Sequence, residues 1–155
     1  ENGPHIWQFL TKRPKRMAQF FDMLGYVPKN FWLGTSVTDQ RTADARIPHL
    51  IGIKNCTRFI SAEPLFGQVS LSQWLTRWPV DTENGRIYKP FHWLIAGGMS
   101  GNNRIEMDLV WAQSLHDQCK ASSVAFFMKQ DSGLRSGMRG RLSDDLWNCK
   151  EFPDA

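Results

Sequence analysis

Glu63 ends the stretch Arg58-Phe59-Ile60-Ser61-Ala62-Glu63-Pro64, where a run suited to a buried strand gives way to a carboxylate. Four other segments share its layout of two apolar residues followed by small or polar ones: Phe9 to Arg13, Trp32 to Ser36, Leu94 to Gly98 and Phe127 to Asp131. If all five are strand ends of one parallel sheet, their loops converge on one rim, where ligands of α/β proteins bind. There Glu63 and Ser36 could accept hydrogen bonds or handle protons, Lys129 and Arg13 could bind an anion, and Gly97 and Gly98 could let a ligand approach the backbone. Glu63 and Lys129 are the catalytic candidates. Thr11, Arg13, Ser36, Ser61, Gly97, Gly98 and Ser100 are the candidates for holding substrate or cofactor. The competing expectation is that these charges pair with one another or face solvent, and that Glu63 only caps the turn at Pro64.

Period-two alternation decides which of these side chains share a face. With Leu10, Leu33, Ile60, Ile95 and Met128 toward the helices, Thr11, Gly34, Ser61, Ala96 and Lys129 fall on the interior face. Arg13, Ser36, Glu63, Gly98 and Asp131 continue that face upward. Strands separated by one other lie about 10 Å apart, so long side chains on one face can meet. Glu63, costly to bury alone, should find a partner among Lys129, Arg13 and Ser36.

The elements that would position them alternate. His5 to Thr11 reads as a strand, and Pro14 suits the first turn of a helix in which Met17, Phe20, Phe21 and Leu24 form an inward stripe. Phe31 to Val37 is the second strand. A helix follows from about Gln40 to Ile51, capped by Thr38 or Asp39, with Pro48 implying a break or kink. Gly52 to Asn55 lead into the third strand. A short helix is expected from about Leu71 to Trp78, and a polar surface loop from Pro79 to Pro90. Trp93 to Gly98, a helix from Asp108 to Ala121 and a strand from Val124 to Lys129 complete the pattern; residues 132–155 read as a loop-rich tail. Strand–helix alternation without hairpin signals predicts parallel strands with helical crossovers: a partial (β/α) barrel of about five strands, or else an open doubly wound sheet. The chain reads as one domain. The Gly97 to Gly101 loop could offer backbone N–H groups to an anion if it opens the next helix. No Gly-x-Gly-x-x-Gly follows the first strand, which disfavours a dinucleotide fingerprint.

With 155 residues, 41% hydrophobic and 22% charged, the chain is long enough for a core. Nineteen Lys and Arg against fifteen Asp and Glu leave +4, a mild excess that permits an anionic partner without demanding one. Cys56, Cys119 and Cys149 stand too far apart for a disulfide framework or a zinc spacing, and fit a reducing cytoplasm. The four histidines share no ligand spacing, so no metal is expected, and no apolar run is long enough to span a membrane.

Several motifs in order carry a resemblance: Phe9-Leu-Thr-Lys-Arg-Pro-Lys-Arg-Met17, Trp32-Leu-Gly-Thr-Ser-Val37 with Asp44-Ala-Arg-Ile-Pro48, Arg58 to Leu65, Ile95-Ala-Gly-Gly-Met-Ser-Gly101 and Phe126-Phe-Met-Lys-Gln130. Together they resemble the phage protein family of gene products thirty-seven and sixty-eight, as does the ending from Gly140 to Pro153. The resemblance implies the carboxyl-terminal portion of a radical S-adenosylmethionine type barrel. In that family an upstream loop of three cysteines holds a [4Fe–4S] cluster, and no such loop occurs in this sequence. Met99 stands where the family usually has Glu. The implied partner is the missing amino-terminal portion of the same protein, without which the chain is not expected to be active. An exposed first strand could also pair two copies. The alternative function is a non-enzymatic module that binds protein, or that binds nucleic acid weakly through Lys12 to Arg16 and through Arg135, Arg139 and Arg141.

Overall fold

The computed structural model describes residues 5–75 and 88–153. Their order is β1 (Trp7–Thr11), α1 (Pro14–Leu24), β2 (Phe31–Ser36), α2 (Gln40–Ile51), β3 (Thr57–Ala62), α3 (Ser72–Leu75), β4 (Trp93–Gly97), α4 (Leu109–Ala121), β5 (Ala125–Gln130) and α5 (Asp144–Asn148). Local chemistry explains most of the boundaries. Pro14 opens α1, and Gly25, at φ 82°, closes it in the left-handed conformation with its N–H on Phe21 O. Asp39 and Thr42 form a reciprocal cap on α2, with Thr42 N donating to Asp39 Oδ1 at 2.7 Å and Asp39 N donating to Thr42 Oγ1 at 3.1 Å. Asp108 caps α4 by accepting from Val110 N. The break expected at Pro48 does not occur. Pro48 sits in the last turn of α2, which runs on to Ile51. Trp78 and most of the loop expected from Pro79 to Pro90 lie outside the described residues.

All five strands are parallel and hydrogen-bonded in chain order, β1-β2-β3-β4-β5, and the sheet does not close. A doubly wound sheet would reverse its strand order at a switch point. Here every crossover moves one strand onward, so the helices collect on one face. Leu33, Ile60, Leu94 and Phe126 from the strands join Ile47 and Leu50 of α2, Leu115 of α4 and Leu146 of α5 in one core. Among the described residues the other face carries no helix. It holds an aromatic cluster of Trp32, Phe59 and Trp93, with Ile95 and Phe127 against it. Gly34 is required within this cluster, because a Cβ there would lie 2.4 Å from the Phe59 ring.

Register follows the expected alternation in β2, β3 and β5, but not in β1 or β4. Ile95 lies on the aromatic face and Ala96 in the main core. Leu94-Ile95-Ala96 is apolar on both faces, so alternation gave no phase to read. Thr11 pairs with Thr35 and Leu10 with Gly34, which puts Thr11 on the helix side and Leu10 on the open face.

The two sheet edges differ. Beyond β5, Met128 N donates to Cys149 O and Glu151 N to Phe126 O, so the tail covers that edge. Phe152 then packs on Trp93, at 5.1 Å between ring centroids. Residues expected as a loop-rich tail thus contain α5 and an edge segment. Ile6, Trp7, Phe9 and Leu10 at the β1 edge remain exposed. The stripe of α1 is only half covered: Met17 and Phe21 reach the core, while Phe20 and Leu24 are exposed. Among the described residues no strand lies beyond β1, so none of them underlies the outer half of that helix.

Candidate functional site

Glu63 follows β3 directly and continues the face of Phe59 and Ser61, while Lys129 lies on β5 on the face of Phe127. The two side chains meet over the intervening β4, with Lys129 Nζ 2.9 Å from Glu63 Oε2. Gly97 leaves room for the crossing, since a Cβ there would lie in tight contact, 3.3 Å from Glu63 Cδ. The Glu63–Pro64 peptide is cis, and Leu65 N donates to Gly97 O at 3.0 Å, tying the turn after the carboxylate to β4. Glu63 is 20% exposed and Lys129 47%, so the pair stands at the rim, open to solvent on one side. Ser61, two residues before Glu63 on β3, and its register partner Ser36 on β2 lie on the same face, and both are buried.

The remaining sequence candidates stand elsewhere. Thr11 turns toward the helices, its carbonyl accepting from Thr35 Oγ1 and its hydroxyl accepting from Arg13 N. Arg13 is the N-cap position of α1 and leans to a group of cations between α1 and α2, because the helix begins before extended structure can carry it over the rim. The Gly97 to Gly101 loop does not open α4, which starts at Leu109. Its N–H groups at Gly98 and Gly101 are occupied by Gln130 O and Gly133 O, and Ser100 bridges Gly133. The close approach is real, but this chain itself makes it: a Cβ on Gly98 would lie 2.4 Å from Ser132 N. Gly98→Ala should therefore cost about 1–3 kcal/mol by overpacking against backbone, read as a lower midpoint in urea unfolding.

Asp131, expected above Lys129, is fully buried and belongs to a clasp that sequence reasoning missed. It accepts from Arg141 N, Nε and Nη2 and from Ser132 N. Burial alone would raise its carboxyl, but the hydrogen bonds from Arg141 and from the Arg141 and Ser132 backbone outweigh that and hold it below the ordinary value. Gln130 completes the seam, with Nε2 on Gly98 O and Oε1 accepting from Gly137 N. The available signal was Gln130-Asp131 one residue beyond an apolar run that ends at Met128.

The residues present do not fit an iron–sulfur cluster. Cys119 is fully buried within α4, its thiol pushed far up by desolvation, while Cys56 precedes β3 and Cys149 follows α5. Among the described residues no group of three His, Cys, Asp or Glu side chains could hold a metal. No described helix is long and apolar enough to cross a membrane. A cavity of about 720 Å³ between the far ends of α1 and α2 and one of about 440 Å³ near the start of α1 both exclude Glu63 and Lys129.

No curated protein and no solved structure matches the chain. Residues 1–145 match the model of a family described as "Protein of unknown function (DUF5131)", and the chain belongs to that family.

Proposed function

We propose that this chain supplies the substrate and cofactor wall of a (β/α) barrel enzyme of the radical S-adenosylmethionine type. In this reading Glu63 acts as proton acceptor or as partner of a ligand ammonium, and Lys129 as the group that binds a ligand anion. The observation that carries the reading is the Glu63–Lys129 pair, which spans β4 at the carboxyl ends of parallel strands on the face that carries none of the described helices. A rim pair of opposite charge suits a zwitterion, since each ligand charge can replace one partner of the pair. The amino-acid end of S-adenosylmethionine has that character. Ser36 and Ser61 offer hydroxyls beside it, and the aromatic floor of Trp32, Phe59 and Trp93 gives the face an apolar base. The cysteines of this chain take no part in cluster chemistry, so the cluster ligands belong to residues outside 1–155. The exposed β1 edge accepts a strand from the amino-terminal portion of the same protein, with a second copy as the rival occupant.

Calorimetric titration of the full-length gene product with S-adenosylmethionine tests the reading. Glu63→Gln should weaken binding about tenfold or more, the size expected for losing a charge-assisted contact, with little change in melting temperature. Equal affinity in the wild type and the variant, or no binding by the wild type, would remove Glu63 from the site.

A further inference from the structure

Lys12 and Arg13 from the β1–α1 turn, Lys15 and Arg16 from the first turn of α1, and Arg46 from α2 line one shallow depression of about 440 Å³ together with His49. No carboxylate lines it, and none of the five cations makes an ion pair among the described residues. Arg46 is held in place by donating from Nη1 to Ser36 O at 2.8 Å. Asp39 feels the charge of Arg46, but its carboxylate accepts from Thr42 N in the cap of α2. Five like charges gathered from one turn and two helices, with no counter-charge among the described residues lining the depression, repel one another, and an external polyanion relieves that repulsion. Two of the three tail arginines contribute nothing comparable: Arg139 pairs with Asp144 at 2.6 Å and Arg141 is committed to Asp131.

We infer that this depression is a docking surface for the phosphodiester backbone of duplex nucleic acid, separate from the Glu63–Lys129 rim. Its lining of Lys, Arg, Gln, Pro, Ala and His side chains contains no Phe, Trp or Tyr on which an unpaired base could stack. Contact is therefore to phosphates, without sequence preference. Such binding is governed by counterion release, with an affinity near the micromolar range and a log K that falls by about 0.9 per phosphate contacted for each decade of salt.

Fluorescence anisotropy of a labelled duplex of about 20 base pairs, titrated with the protein across a salt series, tests the assignment. The expected slope is about −3.6 to −4.5, for four or five phosphates. K12Q/R13Q/K15Q/R16Q should lose about tenfold or more in affinity and flatten the slope. K29Q/K54Q/K120Q/R135Q, which removes the same charge from exposed sites elsewhere, should lose less than about threefold, the effect of long-range attraction alone. All of the substituted residues are exposed, and thermal melts check that each variant folds. Four results would overturn the inference: equal losses in both quadruple variants, tighter binding to the single strand than to the duplex, competition by inorganic phosphate beyond that of chloride at matched ionic strength, or no duplex binding at low salt.

Discussion

Replacing Asp131 by Ala is expected to lower unfolding stability by about 2–4 kcal/mol, because the buried carboxylate that accepts from two backbone N–H groups and from the half-exposed Arg141 is removed while the rest of the clasp stays in place. Arg141 would lose its two side-chain bonds to Asp131, and the backbone N–H groups of Ser132 and Arg141 would lose their acceptor. Gly140 is shaped around the same carboxylate: at φ 55°, a Cβ there would lie 2.6 Å from Asp131 Oδ2. Arg141→Met should cost a similar amount by stranding the buried Asp131. Acid gives an independent reading. The folded-state carboxyl is held below its free value near 3.8, so its stabilisation is present above that pH and is lost as pH falls through the lower folded value. Urea unfolding of both variants at neutral pH and near pH 3 checks this, and the wild type should lose more stability on acidification than Asp131→Ala does.

Arg58→Met is expected to be comparably damaging, at about 3 kcal/mol or more, since several buried oxygens lose their donor together. Arg58 is 1% exposed and has no carboxylate partner among the described residues; its guanidinium donates to Pro90 O, Ile53 O, Lys89 O and the Tyr88 hydroxyl. The guanidinium also sits 4.5 Å from the Tyr88 ring centroid. Lysine, with one ammonium, can serve fewer of these acceptors, so Arg58→Lys should recover only part of the loss. His92 reports on the same knot. Arg58 N donates to its Nδ1 at 3.1 Å, and burial, followed by the charge of Arg58, pushes the imidazole down to about 4. The unfolded chain then binds the proton more readily than the folded one. Stability from this group is complete above about pH 6.5 and drains away as pH falls toward 4. NMR titration of the His92 ring should show a depressed midpoint that rises toward the free value in Arg58→Met.

The sequence was legible where one face of an element is apolar and the other is not. Leu33 beside Gly34, and Ile60 between Phe59 and Ser61, set a phase that carried Glu63 and, through β5, Lys129 to the same rim. In Leu94-Ile95-Ala96 both faces are apolar, and in Phe9-Leu10-Thr11 the strand lies at an edge, so alternation gave the wrong phase in each. The edge position also explains Phe20 and Leu24, whose spacing predicts burial but whose neighbours end at β1. Arg58 and Asp131 were unreadable for a different reason. Their partners are carbonyls about 30 residues away and a guanidinium ten residues on through a Gly-rich loop, and no periodic pattern encodes such contacts.

The central claim, that Glu63 and Lys129 form a ligand site rather than a structural tie, is tested most directly by exchanging the charges in Glu63→Lys, Lys129→Glu and the double variant. Each single exchange places like charges where the wild type holds opposite ones 2.9 Å apart, and should lower the melting temperature modestly, because the pair is partly exposed. The double exchange restores the attraction and should restore the melting temperature. If the pair serves a ligand, binding of S-adenosylmethionine by the full-length protein should remain lost in the double exchange, because the ligand's own charges now face the wrong partners. Recovery of both melting temperature and binding in the double exchange would contradict the account and leave the pair a structural tie.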